Sequence, residues 1–529
     1  MAPSNECVEM TERKVRHGVR MIVGIVLAGL AMSLGWGIRG DYGHEAGAMI
    51  PGAMLGLSIC LASGREDWWR RASLMGLCGA LGWAFGGQMS YAKVTGYTAS
   101  SSFPDVLYGY ACLFLLGGLW AGIGAAILTL SVTQPASYLE RFARPLVVLW
   151  LVWLVMGFSG LTSWLSERWS LNDTDWVGAL SALVVAGACA VVLPADRSAC
   201  RFLAVLAGGW WAGYLVLTAL LGLHMTPPRS DNWAGCVGLF VALLVYLHRR
   251  RDRTAVMLAG YGFVIGGLGF VLGDFANMLG RAQWGPIGRY ELLHGLDYWK
   301  WMEQGFGLIM GLGVGAVFLG HIAPRLASAV EDRGTRRLRT VALVLLLVVM
   351  MWSNLFKNVR NWITQNQIPR DVLGMPSTWW LLGIGVLLSA AVVVALLRHH
   401  RARLALAPAT AFGRGQLLLL VVTWVATLGA FTQALPGMAN RGVFLVHASF
   451  WLTAGFCSLL VVSLDPEVES GVAERRAASD VPGRWGSAFL ICLLSALIIT
   501  YVAADLTMRS HRGPLPGSHL RFSSSAAQN

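Results

Sequence analysis

Charge is what this chain has least of. Only 13% of its 529 residues are Asp, Glu, Lys or Arg, against roughly 25% in soluble globular proteins. A chain so poor in charge cannot cover a water-facing surface of matching size. Disorder, collagen, coiled coil and disulfide-rich secreted modules are excluded by the same composition. The nine cysteines form no CxxC pair and no metal-ligand spacing, and most lie inside apolar runs, so neither a disulfide framework nor a structural zinc site is expected. There is no phosphate-binding GxxxxGK[ST] loop, no GxSxG elbow, no dinucleotide fingerprint after a strand and no histidine pair spaced for haem. ATP-driven pumping and soluble-type cofactor chemistry are thereby set aside, and no cofactor is expected. The sequence His44-Glu45-Ala46-Gly47-Ala48 lacks the second histidine of a zinc-protease HExxH helix.

What the chain has in abundance is apolar sequence. Hydrophobic residues make up 56%, and they cluster in runs long enough to cross a bilayer, which takes about 20 residues as helix. About fifteen such runs occur, at 20–38, 46–63, 72–91, 107–132, 144–165, 176–194, 201–223, 233–248, 255–279, 303–323, 338–356, 378–398, 415–435, 442–464 and 485–505. The first two are glycine-rich and closely spaced, so the count is 14–15. The expected fold is all-α, a polytopic transmembrane helix bundle. Residues 1–19 read as a cytoplasmic tail, 20–505 as one multi-span domain and 506–529 as a disordered external tail.

The basic residues orient the bundle. With the N-terminus in the cytoplasm, 27 of the 41 Lys and Arg fall on the inner side, in stretches such as His248–Arg253 and Glu331–Arg339. This asymmetry follows the positive-inside rule. It also accounts for most of the formal charge of +13 through contact with anionic headgroups, without nucleic acid as a partner. The chain reads as a multi-pass protein of the inner (cytoplasmic) membrane, with the lipid bilayer as its surroundings.

The outer segments are different in kind. They mix acids, bases, amides, His and Trp at 37–47, 86–97, 273–305 and 354–371. Ionisable groups at such depth are costly and mark cavities or functional sites. In the first segment, five glycines lie within residues 35–47, so glycine-broken or re-entrant helices are expected near the outer face. A second helix starting near Asp41 would set Asp41, His44 and Glu45 on one face beside Arg39. The stretch 35–41 echoes 82–88 and, one residue shorter, 269–274, each placing Asp or Gln after glycine, as parallel repeats do. Farther on, Asn354, Lys357, Asn358 and Asn361 form an amphipathic polar stripe. Glu291, His294, Asp297, Lys300 and Glu303 recur every third residue and read as an interfacial helix, with Arg281 and Arg289 nearby.

These features favour a secondary transporter or permease for a polar organic solute, of sugar or carboxylate character, over an enzyme. The expected ligand or ion site is an outward-facing cavity of Arg39, Asp41, His44, Glu45, Gln88, Asp274, Asn277, Lys357 and Asn358, with no metal. The alternative is a membrane-embedded enzyme working on a lipid-linked substrate at the outer leaflet, such as a glycosyltransferase or acyltransferase. Because the arginines segregate and fifteen spans is an odd number, a periplasm-active reporter fused after Asn529 is expected to be active. A cytoplasm-only signal would remove one span, foremost from the first two.

Overall fold

A computed structural model describes residues 5–228, 230–328, 338–347, 362–364, 366, 368–401, 409–466 and 485–522. These residues are helical almost throughout, with one two-residue strand pair, Asp371–Val372 against Met375–Pro376. The helices that carry the argument are α1 (Asn5–Arg39), α2 (Glu45–Ala62), α3 (Ala72–Gly86), the short α4 (Val94–Thr98), α5 (Phe103–Thr133) and α6 (Ala143–Phe158). They continue with α7 (Trp176–Val192), α8 (Arg197–Gly213), α9 (Asn232–Arg249), α10 (Arg253–Arg281) and α11 (Tyr298–Val317). The last are α12 (Ser377–His400), α13 (Ala411–Ala434), α14 (Arg441–Ser463) and α15 (Trp485–Ser510). Among the described residues, 11 helices are long and apolar enough to cross a membrane, and four shorter apolar helices occupy other runs. Each of the apolar runs read from sequence carries one of them. The protein is an all-α, multi-pass helical bundle.

The chain divides into two compact units. One comprises 1–81, 303–328 and 342–477, the other 82–302, 329–341 and 478–529. In the first, α1 and α2 meet backbone to backbone at their shared end. A Cβ on Gly35 would lie 2.6 Å from Pro51 Cα, and one on Gly47 would lie 2.0 Å from the Arg39 carbonyl oxygen. α11 crosses α1 in the same manner, because Gly307 and Gly311 face the carbonyl oxygens of Met32 and Ala28, each 2.3 Å from the Cβ that glycine lacks. At the far end of this packing, the buried Arg65 guanidinium pairs with Asp67 at 2.6 Å and donates to the Ala323 carbonyl at 2.9 Å. A buried charge is tolerated when its donors are satisfied in this way.

The second unit is built around α5 and α10. Gly117 and Gly266 face each other across the crossing, and either Cβ would fall 2.1–2.2 Å from the opposite carbonyl oxygen. Gly262, one turn earlier, lies against the Ala121 carbonyl. Lipid tails are as apolar as leucine, so membrane helices gain little by burying apolar surface against each other. Small residues that let backbones approach supply the packing energy instead. Asp252 then joins the ends of the pair. Its Oδ1 accepts from the Ala255 amide at 3.0 Å, capping α10, while its Oδ2 accepts from Thr133 at 2.6 Å and Gln134 at 2.8 Å. α8 and α9 repeat the glycine crossing at Gly209, Gly213 and Gly238.

Three local expectations change. α1 stays helical through Gly35 and Gly37, where a neighbouring helix needs their bareness, and the break falls at Gly40–His44, with Gly43 at φ +99°. α2 therefore starts at Glu45 rather than near Asp41. α10 runs unbroken through Gly269–Asp274, so only the first two of the three glycine echoes lie at helix ends. Residues 285–293 form two short 3₁₀ turns rather than an interfacial helix, Gly295 reverses the chain at φ +75°, and Asp297 accepts from the Lys300 amide at 3.1 Å as α11 begins. The stripe at Asn354–Asn361 lies outside the described residues.

Gly266→Ala is expected to destabilise the protein by about 1–3 kcal/mol through overpacking. Gly187→Ala, whose Cβ meets nothing within 4 Å, should be neutral or slightly stabilising, as Ala is the better helix former. The thermal midpoint of the monodisperse fraction in detergent checks both; equal midpoints would contradict the crossing.

Candidate functional site

α10 carries Asp274, Asn277 and Arg281 at i, i+3 and i+7, which places them along one face at the end of a membrane-length helix. Asp274 is wholly buried and Asn277 is 1% exposed. The Asn277 amide donates to Asp274 Oδ1 at 3.1 Å and approaches Met302 Sδ at 3.5 Å. Its own Oδ1 is buried with no hydrogen-bond partner among the described residues. On the other side of the carboxyl, Thr98 Oγ1 stands 2.6 Å from Asp274 Oδ2. Thr98 belongs to α4, whose five residues are all buried.

Next to this group lies a cavity of about 360 Å³, within the range of small-molecule sites. Its walls include Thr95 and Gly96 at α4, Asn277 and Arg281 of α10, and Asp297 and Trp299 at the start of α11. Trp299 is stacked on Tyr91, with centroids 5.6 Å apart and an 18° interplanar angle. The last wall is the C-terminal segment, at Pro516 and Gly517. Arg281 donates to the Pro516 carbonyl.

That segment reads from composition as a disordered tail, yet residues 511–522 are held along their length. Leu515 and His519 amides donate to the carbonyls of Ala99 (2.9 Å) and Gly96 (2.8 Å). The amides of Arg521 and Phe522 both donate to Asp105 Oδ1, at 2.7 and 2.8 Å. Gly96 is required by this contact, since a Cβ there would sit 2.1 Å from the His519 ring. Tyr97 stands edge-on to that ring at 6.1 Å, and burial raises its phenol above the ordinary value. Residues 523–529 lie outside the described residues.

The other candidates fall elsewhere. Arg39, Asp41, His44 and Glu45 belong to the first unit; Gln88, Asp274 and Asn277 belong to the second. Arg39 is buried at the end of α1 with its guanidinium 5.0 Å from the Trp36 ring centroid. Asp41 sits in the 3₁₀ turn and its carbonyl accepts from Gln433 at 3.0 Å. His44 and Glu45 are exposed, because the reversal at Gly43 ends the helical register that would have aligned them with Asp41. Gln88 does not line the cavity. It holds helices together, its Oε1 accepting from Trp210 at 3.2 Å and its carbonyl from Asn232 at 3.0 Å. Lys357 and Asn358 lie outside the described residues.

Several buried polar residues escape sequence reasoning. Gln304 and His447 are buried with Glu303 in the first unit, where Ser449 donates to Gln304 at 3.4 Å and Gly37 abuts the Gln304 side chain. His447, alone inside an apolar run, was the available signal there. Thr95, Thr98 and the tail carry no motif. Among the described residues, no group of three His, Cys, Asp or Glu could hold a metal ion.

Asp105→Asn should loosen the tail, since hydrogen bonds to a charged acceptor are worth about 1.5–3 kcal/mol. Limited proteolysis in detergent is expected to clip the variant after residue 510 faster than wild type; identical cleavage would mean the tail is held by its other contacts alone.

No protein-family model matches the chain, and no curated protein matches it.

Proposed function

We propose that the protein is a permease for a small polar organic solute of sugar or carboxylate character, bound in the cavity beside α10. The observation that carries this reading is the Asn277 Oδ1, a buried acceptor with no partner among the described residues, on a residue that lines the cavity. Such a group is costly unless something donates to it, and a solute hydroxyl would do so. Arg281 and Asp297 line the same space and offer opposite charges to a ligand's acceptors and donors. Trp299 supplies an aromatic wall, which suits the apolar face of a sugar ring.

The setting agrees with transport. The walls come from segments that the arginine distribution assigns to the external side of an inner-membrane protein with a cytoplasmic N-terminus. A polar cavity at the end of a membrane-length helix is where a permease would admit a solute from outside.

Liposomes containing the full chain should accumulate labelled glucose or gluconate above protein-free liposomes. Asn277→Leu and Arg281→Gln are each expected to lower uptake about tenfold or more, as loss of one hydrogen bond to solute implies. Uptake at the protein-free level for both probes would refute the reading. Chemical conversion of a probe without accumulation would favour the membrane-embedded enzyme acting at the outer leaflet.

A further inference from the structure

Next to Asp274, one hydroxyl hydrogen stands between two acceptors. Thr98 Oγ1 lies 2.8 Å from the Thr95 carbonyl oxygen and 2.6 Å from Asp274 Oδ2. A hydroxyl has a single hydrogen, and a carbonyl oxygen can only accept. If Thr98 gives its hydrogen to Thr95, the contact with Asp274 needs a hydrogen supplied by the carboxyl. The carboxyl is fully buried in a membrane-length helix. Among the described residues, no hydrogen bond from a cation reaches it, and its hydrogen-bonding neighbours are Thr98 and Asn277. The titratable groups around it are Tyr110 on α5, whose hydroxyl is engaged with Thr507 of α15 at 2.7 Å, and Arg281, which is turned to the Pro516 carbonyl.

We propose that Asp274 is a proton-binding site, and that Asn277 wires it to the cavity. In the loaded state, Asp274 Oδ2–H donates to Thr98, which donates to Thr95. On release, the O–H bond of Asp274 breaks, the proton passes to solvent water, and the remaining carboxylate accepts from Thr98, whose hydrogen turns away from Thr95. Asn277 donates to the carboxyl through its amide nitrogen, and the residue lines the cavity while its oxygen is buried without a partner among the described residues. A donor arriving at that oxygen polarises the amide and strengthens its N–H bond to Asp274, because hydrogen bonds in a chain reinforce one another. Solute therefore favours the carboxylate and proton release. This coupling rests on the permease reading; the proton site itself does not.

Infrared difference spectra of the full chain in liposomes at pH 7 test the site. Wild type minus Asp274→Asn should show the C=O band of a neutral carboxylic acid. The variant should keep the wild-type thermal midpoint, because its carboxamide can donate to Thr98 as the acid does. Asn277→Leu should keep the acid band but lose its dependence on added glucose or gluconate. Coincident wild-type and Asp274→Asn spectra in the acid C=O region overturn the proton site, whatever the uptake assay gives. A band that belongs to Asp274, with uptake of neither probe, upholds the proton site and refutes the permease reading.

Discussion

Direct contact between helix backbones, made possible by glycine, is the constraint on which the rest of this structure depends. Where Gly117 meets Gly266, and where Gly307 and Gly311 meet the carbonyls of α1, any side chain would have to occupy space already filled by a peptide group. In a bilayer this close approach supplies dispersion energy that apolar burial does not, because lipid would solvate an apolar helix face equally well. The glycines thus act as packing surfaces, and that is why α1 and α10 stay helical through sequences whose composition argues for a break.

The same crossings decide where polar groups can go. With α5 and α10 locked together, Asp252 secures one end of the pair through Thr133, Gln134 and the first amides of α10. Toward the other end, Asp274 finds Thr98 and Asn277. Each buried carboxyl meets specific hydrogen-bond partners, as a polar group in a low-dielectric interior requires. The two differ in consequence. Asp252 is fully occupied with capping and cross-linking, while the Asp274 group leaves one acceptor, Asn277 Oδ1, without a partner among the described residues, on a residue that lines a space large enough for a small molecule.

The C-terminal segment completes that space for a reason of local chemistry. A run of Gly, Pro, Ser and Arg has little means of forming its own structure, and its order is borrowed. Backbone amides of Leu515, His519, Arg521 and Phe522 reach acceptors on α4, the following turn and α5. Asp105, buried with two of those amides on one oxygen, turns a polar tail into a wall.

Much of the architecture was legible without coordinates. Hydropathy located each apolar run, since a backbone in lipid must satisfy its own hydrogen bonds and a helix does so within one segment. Asp274 and Asn277 were legible as well, because an acid and an amide inside an apolar helix need a reason to be there. Grouping was not legible. His44 and Glu45 looked aligned with Asp41 until one residue, Gly43 at φ +99°, broke the register on which helical spacing depends. Gln88 follows a glycine just as Asp274 does, yet it serves helix packing, because what a side chain meets is set by the neighbouring helix and not by its own sequence. Local sequence determined the helices, their order and their polar content. Only the tertiary structure decided which polar residues share a cavity, since backbone contact at single glycines and the reach of a tail from over 200 residues away carry no periodic signal.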